Sequence, residues 1–132
     1  MNGQGPFRFI VDTGANRAVL SARLAERLGL VARAEGQVHS VYGVAPAPLV
    51  RAQSLTYDTL TLPTGDMPIL SGPVLAGEHG LLGVDGMAGR RLLLDFRRGC
   101  IEIQPSRAAA RLRGFGWTTI RGELRFGHLV VV

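Results

Sequence analysis

The residues in this chain whose types and spacing could do chemistry begin with Asp12-Thr13-Gly14. The apolar run Phe7 to Val11 leads into that triplet and Gly5-Pro6 bounds its other end, so the run reads as a short buried strand delivering a carboxylate on a polar turn. Such a placement suits activation of water. The strand fixes the acid, Gly14 permits a tight turn whose amides face it, and the Thr13 hydroxyl can brace the loop. One carboxylate does not suffice to hydrolyse an amide. One acid must take a proton from water while another gives one to the carbonyl, and two carboxyls at close range share that proton. A partner acid is therefore required.

The other polar candidates are weaker. Asp85 follows Leu81-Leu82-Gly83-Val84 but has no Thr-Gly or Ser-Gly after it, which favours a structural turn over a second catalytic acid. Asp58, Asp66 and Asp95 read as strand-face or turn residues. His39, His79 and His128 lie far apart in the chain with no ligand spacing and no neighbouring cysteine, so no metal is expected, and no cofactor either. Ser21 lacks a partnered histidine motif and suits a helix cap better than a nucleophile. Cys100 is the single cysteine, which excludes an internal disulfide and leaves the redox compartment open.

These residues need a scaffold, and 132 residues suit one core. With 46% hydrophobic and 19% charged residues the chain is too apolar for disorder, and it contains no uninterrupted apolar run of membrane-spanning length. Eighteen glycines and seven prolines, spread in short clusters, interrupt the sequence too often for long helices and favour many brief strands. All 15 positive side chains are arginine against 10 acids, a net charge of +5. They are scattered singly and in short pairs without aromatic interleaving, which argues against a nucleic-acid partner. The opening Met1 to Pro6 is a polar turn rather than a signal peptide, of the kind that usually has a strand before it.

Along the chain, Leu20, Leu24 and Leu28 recur every four residues with Ser21 as a cap and Gly29 as a left-handed stop, which predicts a short amphipathic helix over 21–28. Val38 to Val50, with Tyr42-Gly43 and Pro46-Ala47-Pro48, suggests a projecting hairpin or loop. Leu55 to Leu62 alternates as one strand, and Pro63 to Asp66 turns the chain into a proline-interrupted strand over Met67 to Leu75. Val84 to Arg90 could make one or two helical turns. Leu92 to Phe96 and Cys100 to Ile103 flank Arg97-Arg98-Gly99 as a hairpin. Ser106 to Arg113 could be a brief helix or a linker, and Leu129 to Val132 is a final strand. Gly5-Pro6-Phe7-Arg8-Phe9 and Gly122-Glu123-Leu124-Arg125-Phe126 share glycine, arginine and phenylalanine at equal spacing, a hint of a repeat or a coincidence between two amphipathic strands.

Phe9-Ile10-Val11-Asp12-Thr13-Gly14-Ala15, the helix, then Leu81-Leu82-Gly83-Val84-Asp85 and the later hairpin together resemble the retropepsin-like aspartic proteases, in order over residues 5 to 104. The resemblance implies a mainly β fold, a retropepsin-like β-barrel lobe with one short helix over 1–105, followed by a linker and terminal strand over 106–132 that could start a second lobe. It implies that Asp12 is the catalytic acid of an aspartic endopeptidase. Thr13 would lock two active-site loops together, Gly14 would approach the substrate or water, Ala15 would line the cleft, and Leu81, Leu82 and Gly83 would thread beside the turn to support it. Val41, Tyr42 and Gly43 would tip the flap, although the family flap is usually glycine-rich and this one has a single glycine and two prolines.

The partners so implied are a polypeptide substrate and either a second copy of the chain or a second Asp-bearing lobe. A periplasmic or membrane-anchored location follows from the same resemblance. The alternative is a retropepsin-like domain kept for peptide binding or dimerisation without catalysis, against which an intact Asp-Thr-Gly-Ala speaks, since a fold by itself never proves a reaction.

Overall fold

The computed structural model describes residues 1–40, 43–106, 122–125 and 128–131. Short apolar runs cut by glycine and proline form short strands here, and the lobe is mainly β with one α-helix. Its strands are β1 (Phe9–Val11), β2 (Val19–Ser21), β3 (Ala34–Ser40), β4 (Gly43–Val50), β5 (Leu55–Tyr57), β6 (Leu60–Leu62), β7 (Met67–Leu70), β8 (Gly80–Leu82), β9 (Arg90–Asp95), β10 (Cys100–Pro105), β11 (Gly122–Arg125) and β12 (His128–Val131). Six of them form an open sheet in the order β1-β8-β2-β7-β4-β3, and β5-β6, β9-β10 and β11-β12 pair as hairpins.

The helix α1 spans Ala22–Arg27. Ser21 is its N-cap, accepting from the Leu24 amide at 3.2 Å, so one of the helix's orphan donors is satisfied by the side chain the sequence pointed to. At the other end the Gly29 amide bonds the Glu26 carbonyl and the Leu30 amide bonds the Ala25 carbonyl, with Gly29 at φ +62. That is a Schellman closure, and it needs the left-handed residue that glycine supplies without a Cβ clash. Leu20 belongs to β2 and not to the helix, yet it is fully buried beside Leu24, Val50 and Met67, so strand and helix share one core.

Two expected elements divide. The alternating run Leu55 to Leu62 is not one strand but the hairpin β5-β6, because Asp58 adopts φ +52 and reverses the chain. An aspartate tolerates that left-handed geometry better than most residues, so strand alternation resumes on the return arm. Met67 to Leu75 is likewise a strand only as far as Leu70. Beyond Gly72 (φ +95) the chain makes a 3-10 turn over Pro73–Leu75, with the proline at its start.

The hairpin β9-β10 stands where expected and is longer at its open end, running to Pro105 opposite Arg90. Its turn is held by Asp95, whose Oδ1 accepts from the Arg97 and Arg98 amides at 3.0 Å each, and by Gly99 at φ +62. Val84–Met87 is a single 3-10 turn. The expected terminal strand is the hairpin β11-β12, with Gly122 opposite Val131. Residues 107–113 of the suggested helix or linker, Phe126 of the suggested repeat, and Val132 lie outside the described residues.

The segment Val38 to Val50 is the outer part of a hairpin. β3 and β4 pair from Ala34↔Leu49 to Ser40↔Gly43, but only Leu49 and Val50 join β4 to β7, so the distal half projects from the sheet. Pro46 and Pro48 fit there because the far edge of β4 demands no amide along that stretch.

Candidate active site

Asp12 stands directly after β1, on the loop that leads to β2. Between those strands lies β8: β1 pairs it in parallel (Phe9↔Gly80, Ile10↔Leu81, Val11↔Leu82) and β2 pairs its other edge antiparallel (Val19↔Leu81, Leu20↔Gly80). The loop therefore bridges over the end of β8, and the apolar Gly80-Leu81-Leu82 segment is clamped between its two arms. Three bonds fasten the loop to the chain leaving β8. The Asp12 amide donates to the Leu82 carbonyl at 3.1 Å, the Val84 amide donates to the Ala15 carbonyl at 2.9 Å, and the Ala18 amide donates to Asp85 Oδ1 at 2.7 Å.

Gly83 lies in the middle of this contact. A Cβ there would stand 2.5 Å from the backbone carbon and oxygen of Arg17 and 2.9 Å from the Ala15 oxygen. Only a residue without a side chain lets the two backbones approach so closely. Gly80 is confined in the same way by the Val19 carbonyl and the Phe9 ring.

The carboxylate itself is half-buried. Its Oδ1 accepts from the Gly14 amide at 2.8 Å, and the Ala15 amide bonds the Asp12 carbonyl at 3.3 Å, closing the turn on itself. No described residue donates to Oδ2. Thr13 and Gly14 are exposed and Ala15 is half-buried, so the face of the turn around Asp12 is open to solvent. One oxygen is thus oriented by the protein and the other is left for an external proton donor or acceptor.

The structure brings Asp12, Thr13, Gly14 and Ala15 together with Leu81, Leu82 and Gly83. Gly43 opens β4 at φ +127, at the far end of the projecting hairpin, while Val41 and Tyr42 lie outside the described residues. What sequence reasoning missed was Ala18, a residue with no chemistry of its own whose buried amide anchors the loop. The spacing Gly83-Val84-Asp85 was the available signal, since an acid just after a close backbone approach can receive an amide.

The remaining polar candidates are accounted for locally. His79 Nδ1 accepts from the Arg8 amide at 3.1 Å, and its ring lies 5.4 Å from that of Phe7. His39 is exposed. Among the described residues no group of three His, Cys, Asp or Glu side chains is placed to hold a metal. No helix among them is long and apolar enough to cross a membrane.

A groove of about 780 Å3 runs along the open side of β1, walled by Phe7, Phe9, Val11, Leu55, Leu62 and Leu82 among others. Asp12 is not one of its walls. Its size does not make it the reactive site: the acid among its walls is Asp58, on the turn of the β5-β6 hairpin, and the Asp12 carboxylate lies outside it.

Residues 1–85 match the family described as "Aspartyl protease". The chain belongs to that family, and the match ends on Asp85, so it contains both the Asp12 loop and the β8 strand that threads it. Comparison with curated proteins and with solved structures found no match.

Proposed function

We propose that this chain supplies one carboxylate, Asp12, of a paired-aspartate endopeptidase, and that a second Asp12-type acid comes from another copy or another lobe. The observation that carries this reading is the state of the Asp12 carboxylate: Oδ1 is oriented by the Gly14 amide, while among the described residues none donates to Oδ2, and the surrounding turn is open. A single lobe provides one wall of a cleft here. A symmetric partner would bring a second Asp12 to the first about a two-fold axis, with Thr13 beside Thr13, so one patch of surface serves both sides.

Two carboxylates at hydrogen-bonding range hold one proton between them, because both cannot ionise without strong repulsion. The ionised member takes a proton from water, and that water adds to the scissile carbonyl carbon. The protonated member gives its proton to the carbonyl oxygen. In the collapse of the resulting tetrahedral diol, the carboxyl that took water's proton gives it to the amine nitrogen while the other carboxylate takes one from a diol hydroxyl; the C–N bond breaks, leaving a carboxylic acid, an amine and a pair that again holds one proton. The hairpin β3-β4 is joined to β7 only at its base, through Leu49 and Val50, which suits a flap that closes over an extended peptide and excludes water.

Replacing Asp12 by Asn tests the assignment. Cleavage of fluorescein-labelled casein should fall by at least about a thousandfold, since an amide can neither accept nor release the proton on which the step depends. Retention of wild-type activity would remove Asp12 from the mechanism.

A further inference from the structure

Asp85 is the last acid within the family match, and its surroundings differ from those of Asp12. Its Oδ1 accepts two amides, Ala18 at 2.7 Å and Gly86 at 2.8 Å. The Gly86 bond lies within its own turn and fixes the side chain rotamer. The Ala18 bond crosses to the far arm of the Asp12 loop, sixty-seven positions away in the chain. Its other oxygen faces the turn after β6, where a Cβ on Gly65 would stand 3.9 Å from Oδ2.

Ala18 is 3% exposed and precedes β2, which begins at Val19, so no strand pairing serves its amide. Buried amides are almost always paired, and one that loses its partner forces the backbone to move until another is found. The loop is held at Asp12 by Leu82, at Ala15 by Val84 and at Ala18 by Asp85. The first two fastenings run between backbone atoms and call for no particular side-chain acceptor or donor. The third is the only one of the three made by a side chain.

We propose that Asp85 is the positioning residue of the catalytic loop: by receiving the Ala18 amide it sets the exit of the loop, and through the short chain between Ala18 and Asp12 it sets where the Asp12 carboxylate points. The proposal rests on the reading of Asp12 as the catalytic acid. It assigns Asp85 no contact with substrate. Small displacements of a reacting group are costly, since a shift of about 1 Å can lower a rate by about a hundredfold.

The experiment compares Asp85→Ala, Asp85→Asn and, as a control that destabilises elsewhere, Leu75→Ala, which empties a 3%-exposed position in the 3-10 turn after β7. Kinetics with fluorescein-labelled casein are combined with amide hydrogen exchange by NMR. Asp85→Ala should lose about 10–100-fold in kcat with KM nearly unchanged, and the Ala18 and Gly14 amides should exchange at least about tenfold faster. Asp85→Asn keeps an acceptor oxygen at the same place and should restore both readouts to near wild type. Leu75→Ala should lower the melting temperature without changing kcat below it.

Wild-type kcat and unchanged Ala18 exchange in Asp85→Ala would overturn the proposal, as would an Asp85→Asn variant as defective as the alanine. The exchange measurement does not depend on activity. If Asp12→Asn proves fully active, the protease reading fails on its own account while Ala18 exchange still decides whether Asp85 anchors the loop.

Discussion

At Gly83 two backbones lie too close for any side chain, with a would-be Cβ 2.5 Å from the Arg17 carbonyl. The atoms in the way are main chain, so no rotamer change relieves the clash. Gly83→Ala should therefore push the loop off β8, cost about 1–3 kcal/mol or more of stability and remove activity together with it, measurable by urea unfolding and a peptidase assay. Asp12→Asn is the contrasting case. Asparagine still offers an oxygen to the Gly14 amide, so its unfolding midpoint should stay close to wild type while activity disappears. Asp12 was legible in the sequence because an apolar run ending in Asp-Thr-Gly has a local signature. The Ala18 anchor was not, since nothing in an alanine's identity reports that its amide lands on a carboxylate far along the chain.

At the scale of elements, the helix was legible to within a residue because its signals are local: Ser21 caps one end and Gly29 closes the other. Ser21→Ala should lower stability by about 1 kcal/mol, read as a shift in the urea midpoint at constant slope. Leu24→Ala, which empties a side chain only 1% exposed against Leu20, Val50 and Met67, should cost about 2–5 kcal/mol. Both losses should leave kcat unchanged wherever the variants are folded, because neither residue is hydrogen-bonded to the Asp12 loop. What the sequence hid was the short strand β2 and the hairpin within Leu55 to Leu62. Three residues are too few to show a period, and the left-handed Asp58 lets strand alternation continue through a reversal as though nothing had turned. The order β1-β8-β2 was also invisible, because it joins segments about seventy positions apart and only tertiary pairing specifies it.

At the scale of the whole molecule, the described lobe is proposed to be half of a catalytic unit. The Asp12 turn is solvent-facing, no described residue donates to one of its carboxylate oxygens, and the groove along β1 lies beside the acid rather than around it. Each of these features is what an isolated half-site would present. The requirement for two acids is set by proton bookkeeping, as one carboxylate cannot be general base and general acid at the same moment. The most direct test is specific peptidase activity measured across a protein concentration series, with analytical ultracentrifugation reporting the monomer fraction in each sample. The monomer should show no activity, with activity rising in step with the dimer or appearing only when a second Asp-bearing lobe is joined to the chain. Full activity in a sample that sediments entirely as this single lobe would contradict the requirement for two acids.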